Sequence, residues 1–100
     1  MIIKITRENG SVIAAFQGRF DTPAAQEAAS QIDSLKEDAA GTIVLDCSEL
    51  TYISSSGLRL FLILRKAAAE KGGRVIIRSI GDNIRAVFMM TGFLNLVEIP

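Results

Sequence analysis

Thr42-Ile43-Val44-Leu45-Asp46, then Tyr52-Ile53-Ser54-Ser55-Ser56-Gly57-Leu58, then Leu60-Phe61-Leu62-Ile63-Leu64: these three blocks decide how the chain is read. The first is apolar on both faces, the pattern of a buried, central strand. The third lies in an apolar helix that spans about Ser55 to Lys71 and ends at Gly72-Gly73. Between them, three hydroxyls and a glycine stand where the helix begins. Free backbone N–H groups and the positive end of the helix dipole favour an added negative charge there. A serine at this point could accept a phosphate, and the change would be noticed.

The pattern extends in both directions. Ile2–Thr6 and Val12–Gln17 read as two short strands, joined through Asn9-Gly10, the strongest short hairpin signal. Gly18-Arg19-Phe20-Asp21 ends the second strand. Thr22-Pro23 opens a helix, with Thr22 as N-cap and Pro23 at the first helical position. Ala25, Ala28, Ala29, Ile32 and Leu35 give it one small-residue apolar face. Arg74–Arg78 is a further strand. Asp82 caps a third helix carrying Ile84, Val87 and Phe88, Gly92 lies past its end, and Leu96–Ile99 forms a last edge strand. The expected order is ββαβαβαβ: one α/β domain over residues 1–100, a mixed, mostly parallel sheet with helices packed against it.

This topology says where a site belongs. In open α/β sheets, sites gather beyond the carboxyl ends of the parallel strands. Arg19–Thr22, Cys47–Ser56 and Ser79–Asp82 meet that condition, so Asp21 and Ser55 are expected as neighbours on one rim.

Composition narrows the function. The chain is 49% hydrophobic and 22% charged, which is globular rather than disordered. Eleven basic and eleven acidic residues cancel, so no net field draws it to nucleic acid or anionic lipid. Its one cysteine, Cys47, has no intrachain partner, which fits a reducing compartment. The first residues lack a signal-peptide pattern and the longest apolar run is too short to span a bilayer, so a soluble cytoplasmic domain is expected. With no histidine, a Ser-His-Asp arrangement and any His-based metal site are excluded. Ile53 stands where a nucleophile elbow needs its first glycine, and no phosphate-binding loop of the Gly-x-x-x-x-Gly-Lys type is present. The expectation is a binding module, not an enzyme, with no cofactor and no metal.

The serine turn between an apolar strand and an apolar helix resembles the STAS domain of bacterial anti-sigma factor antagonists. Gly18-Arg19-Phe20-Asp21 looks like that family's Gly-x-hydrophobic-Asp turn, and Thr91-Gly92-Phe93 looks like its Ser/Thr-Gly-Leu/Phe segment. Gly72-Gly73 before a strand fits the family order, so the resemblance covers nearly the whole chain. It implies that Ser55, two residues before Gly57, is the phosphorylated serine. It further implies a cognate serine kinase that is also the anti-sigma factor, and a phosphatase that resets the switch. The unphosphorylated protein would hold the kinase and release the sigma factor. Asp21 would lie beside the serine and contribute to partner binding. The best-studied members carry Asp where this chain has Ser54, which removes a negative charge from the rim. Domains of this fold also serve lipid-transport ATPases and stress-signalling assemblies, the alternative role.

Each residue also has a structural reading. Ser55 is either a helix cap or the regulated hydroxyl; three serines exceed what one cap needs, which leaves Ser54 and Ser56 to shape and cap the turn. Asp21 is a turn or capping residue, or part of an interface with Thr22. Arg59, four residues after Ser55, pairs with a phosphate or an acidic partner, or is simply a solvated charge. Gly57 permits close backbone approach, and Leu58, Leu60 and Leu64 are mostly core, with one or two facing a partner. Cys47 and Met89-Met90 read as core filling.

Overall fold

The chain opens with a hairpin that its turn dictates. Strands β1 (Ile2–Glu8) and β2 (Ser11–Phe20) pair antiparallel, with Glu8 opposite Ser11. Asn9 and Gly10 both take positive φ, 48° and 80°, the backbone of a two-residue hairpin loop. A computed structural model describes residues 1–99. Helix α1 (Thr22–Leu35) leads through a short 3₁₀ turn at Lys36–Asp38 to β3 (Thr42–Ile53). Helix α2 (Ser55–Lys71), β4 (Arg74–Arg78) and α3 (Asp82–Thr91) follow. The sheet order is β1-β2-β3-β4, with β2, β3 and β4 mutually parallel, so the mixed sheet expected from the sequence is present.

The helices cover one face of this sheet. Val12, Ala14 and Phe16 of β2, Ile43, Leu45 and Cys47 of β3, and Val75 and Ile77 of β4 are buried. They meet Ala24, Ala25, Ala28, Ile32 and Leu35 of α1, and Leu58, Phe61, Leu64 and Ala68 of α2. Five phenylalanines knit the centre: Phe61 lies 5.0 Å from Phe16, 5.7 Å from Phe20 and 6.3 Å from both Phe88 and Phe93. Offset and edge-to-face aromatic pairs of this kind add to the stabilisation from burial alone. Cys47 packs here as a small apolar group, and its burial pushes the thiol up to about 12.

Several boundaries differ from the sequence reading. β3 does not stop at Asp46 but continues to Ile53, so the loop expected over Cys47–Ser56 shrinks to Ser54. The reason lies in the pairing with β2. Between Ala15 and Gln17, and again between Gly18 and Arg19, β3 carries one extra residue. Each bulge breaks the in–out alternation that marks a strand in sequence. Opposite the second bulge, Gly18 of β2 takes a φ of 101°, a conformation that favours glycine.

The caps also move. Of the two residues that could cap α1, Asp21 does so and Thr22 does not, and Pro23 falls at the second helical position. Gly81, not Asp82, precedes α3 and offers no side-chain cap. The last strand reduces to one bridge, Ile76 with Glu98, because a 3₁₀ turn at Phe93–Asn95 takes up the chain after Gly92. Met89 and Met90 are 64% and 87% exposed rather than core. Ile84 and Phe88, one helical turn apart, point inward, and the next two positions rotate away from that face.

Candidate functional site

β2 and β3 end side by side, and both lead directly into helices. Phe20 pairs with Ile53, and the Ser54 N–H donates to the Phe20 carbonyl at 2.8 Å. Asp21 and Ser54 are therefore successive exits from adjacent parallel strands, and each caps the helix that follows. The Asp21 carboxylate accepts from the Ala24 N–H at 3.0 Å. The Ser54 hydroxyl accepts from the Gly57 N–H at 3.1 Å and donates to the Phe20 carbonyl at 3.0 Å. The third turn joins the same rim: the Asn83 amide at the start of α3 donates to the Thr51 carbonyl at 2.9 Å.

The three serines are thereby separated. Ser54 is 9% exposed, with its hydroxyl committed in two directions. Ser55 is the first residue of α2 and exposed, and Ser56 is half-buried. The cap role left open for Ser55 belongs to Ser54. The Ser54 and Gly57 N–H groups are already bonded, but helix geometry leaves those of Ser55 and Ser56 without intrahelical acceptors, so an anion on Ser55 would meet uncommitted donors.

Around Ser55 the rim is mixed. Thr22 and Arg59 are exposed and Asp21 is half-buried. Arg59 lies four residues along α2 from Ser55, hence on the same face. It takes part in none of the ion pairs among the described residues, which join Arg7 to Asp38, Lys36 to Asp33, Arg74 to Glu98 and Arg78 to Asp46. Leu58 is 5% exposed and belongs to the core, and Gly57 is buried with it. A β-carbon on Gly57 would stand 3.0 Å from the Phe20 ring and from the Phe20 carbonyl oxygen, so close approach is what this glycine permits. Ser54, Gly57 and Leu58 thus shape the rim from beneath, while Thr22, Ser55 and Arg59 form its surface.

Two features escape a reading of the sequence. The Arg19 guanidinium sits 4.3 Å over the Tyr52 ring, an exposed cation–π pair one step before Phe20 and Ile53 in register. Nothing in the linear order brings these two together; only the extended β3 does. The pairing of Asp46 with Arg78 is the second, beyond the bond to a loop amide that its place at a strand end suggests. The Asp46 carboxylate accepts from the Ser48 N–H at 3.0 Å and from Arg78 at 3.1 Å, tying the end of β4 to β3. Partial burial pulls the Asp46 pKa upward, but the Ser48 amide and the Arg78 guanidinium outweigh it and hold the carboxyl below its ordinary range. Among the described residues no cluster of His, Cys, Asp and Glu could hold a metal ion, and no helix is long and apolar enough to cross a membrane.

Comparison with known proteins agrees with this fold. A Bordetella bronchiseptica protein described as an anti-sigma factor antagonist, BtrV, is 27% identical over 99% of this chain and 85% of its own length. The anti-sigma-B factor antagonist of Staphylococcus aureus is 24% identical over 82% of this chain and 76% of its own. The unphosphorylated form of Bacillus SpoIIAA superposes with a TM-score of 0.77 at 20% identity, covering 99% of this chain and 87% of that one. A Thermotoga maritima protein described as an anti-sigma factor antagonist superposes with a TM-score of 0.87 at 18% identity, over 97% and 84% of the two chains. The family model of the STAS domain matches residues 3–100, and the chain belongs to the STAS domain family.

Proposed function

We propose that this protein is an anti-sigma factor antagonist whose docking rim is switched by phosphorylation of Ser55. One observation carries the proposal: Ser55 is exposed at the first position of α2, while the capping work of that helix is done by its neighbour Ser54. A phosphate there brings about −1.5 to −2 charges and three acceptor oxygens. The helix start tolerates them, so the fold survives and the surface changes. A partner packed against Thr22, Asp21 and Arg59 must then accommodate a charge that was absent before. The switch acts through affinity and not through unfolding.

The named relatives support the identity of the partner. Anti-sigma factor antagonists from two organisms align along most of the chain, and SpoIIAA is known in a phosphorylated form. By this reading the partner is an anti-sigma factor that is also the serine kinase, a phosphatase reverses the modification, and the protein works in the cytoplasm as a binding module.

The test is incubation with the cognate kinase and ATP, followed by intact mass and site mapping. One phosphate at Ser55 is expected; no modification across residues 54–56 ends the proposal. Binding supplies the second half. Ser55→Ala should hold the anti-sigma factor whether or not ATP is present, while Ser55→Asp should bind roughly tenfold or more weakly, as a charge placed in an interface does. Equal, unchanged binding by both variants would remove the rim from the interface.

A further inference from the structure

We infer that Ser54 is a positioning residue that selects Ser55, out of three consecutive serines, as the hydroxyl open to modification. The inference rests on the switch proposed above and adds what makes it specific. The Ser54 hydroxyl is buried and used twice, as acceptor for the Gly57 N–H and as donor to the Phe20 carbonyl, thirty-four residues away in sequence. A backbone bond from the Ser54 N–H to the same carbonyl runs beside it. Together these bonds fasten the first turn of α2 to the end of β2.

Fastening the turn fixes its register. With Ser54 at the cap, Ser55 is the first helical residue and faces solvent, and Ser56 is the second and half-buried. Ser54 itself cannot take the phosphate without losing the hydrogen it donates to Phe20 and placing a dianion in a slot that is 9% exposed. The alternative register is close at hand. Serine is among the best capping residues, so Ser55 could cap a helix one residue shorter. Its hydroxyl would then turn inward toward the Leu58 N–H, and Ser56 would take the exposed first position. The chain carries a second cap directly behind the first, and the bond from Ser54 to Phe20 holds the register in which Ser55 is free.

The experiment compares wild type, Ser54→Ala and Ser54→Thr, each treated with the cognate kinase and ATP. The phosphate on residues 55 and 56 is quantified by peptide mapping. Gly57 amide exchange is measured on the untreated proteins. Wild type should be modified predominantly at Ser55, with a small measurable fraction at Ser56. In Ser54→Ala the Ser56:Ser55 ratio should rise at least about fivefold, and Gly57 should exchange about fivefold faster, the weight of one cap. Threonine keeps both hydrogen-bonding roles and should restore both readouts, which a general loss of stability would not predict. If Ser54→Ala does not fold, Ser54→Gly, which costs a helix start less than alanine does, replaces it. A wild-type phosphate pattern in the variant that lacks the hydroxyl overturns the selection and leaves the switch standing. An unmodified wild type overturns both.

Discussion

Two helices begin on the same rim, one residue beyond paired strand ends, and they are started by different chemistry. Asp21 caps α1 with a half-buried carboxylate that makes one bond, to the Ala24 N–H. Ser54 caps α2 with a buried hydroxyl that makes two, one along its own helix and one across to the neighbouring strand exit. A carboxylate can only accept, whereas a hydroxyl accepts and donates. The first helix is therefore capped locally. The second is capped and also tied to the sheet, and it is the second that presents the exposed Ser55. A site whose charge is to change without loosening its support needs the stronger of the two anchors.

The contrast breaks most readily where α2 meets β2. Gly57→Ala would drive a methyl group against the Phe20 ring and carbonyl. That ring has nowhere to go: Phe20 is fully buried, stacked 5.5 Å from Phe16 and tilted against Phe61 at 5.7 Å. Overpacking at a rigid site costs more than the gain in helix propensity from removing a glycine returns, and a net loss of about 2 kcal/mol is expected. Urea unfolding followed by far-UV circular dichroism checks it through the midpoint at constant slope. A midpoint equal to wild type would mean that α2 can move off β2, and that the two starts are not so different.

Removing each cap sharpens the comparison. Ser54→Ala loses the capping acceptor and the donor to Phe20, although Ser55 can recover part of the first loss; about 1.5 kcal/mol is expected. Asp21→Ala loses one capping bond and should cost about 1 kcal/mol. The order matters more than the sizes. If the aspartate proved the more costly of the two, the cross-strand bond of Ser54 would contribute nothing to stability. The same pair of variants separates the caps in function: loss of Asp21 should weaken docking of the partner and slow modification while leaving it on Ser55, whereas loss of the Ser54 hydroxyl should move it toward Ser56.

How much of this was legible in the sequence follows from which signals are local. The bounds of α2 and β4 were readable because serine, two glycines and an apolar run mark them within a few residues. The rim was readable because topology alone places it beyond the parallel strand ends. The far half of β3 was not. Its burial over Cys47–Ile53 runs buried, exposed, exposed, buried, exposed, exposed, buried, which imitates no strand. Only pairing with β2 across two bulges makes it one. With that stretch unread, the stacking of Arg19 on Tyr52 and the reach of Asn83 to Thr51 could not be foreseen. Which of the three adjacent serines caps α2 was equally beyond a local signal, because the Ser54 hydroxyl that does so is also tied to Phe20. Met89 and Met90 erred the other way: apolar character suggested core, and helical phase overruled it.

The smallest expected effect on stability is the one the mechanism depends on. Ser55→Asp adds a full negative charge at the first position of α2, where the dipole and the uncommitted N–H groups favour it. The Ser54 cap is untouched, so the bond to Gly57 and the tie to Phe20 persist. Stability should stay within about 0.5 kcal/mol of wild type, on the stabilising side at low salt and converging on wild type as salt screens the dipole. Paired urea titrations at two ionic strengths check it. A clear destabilisation would mean that charge at Ser55 disturbs the helix start, and that docking is lost because the rim deforms; an unchanged fold that no longer holds its partner means that the rim keeps its shape and changes only its charge.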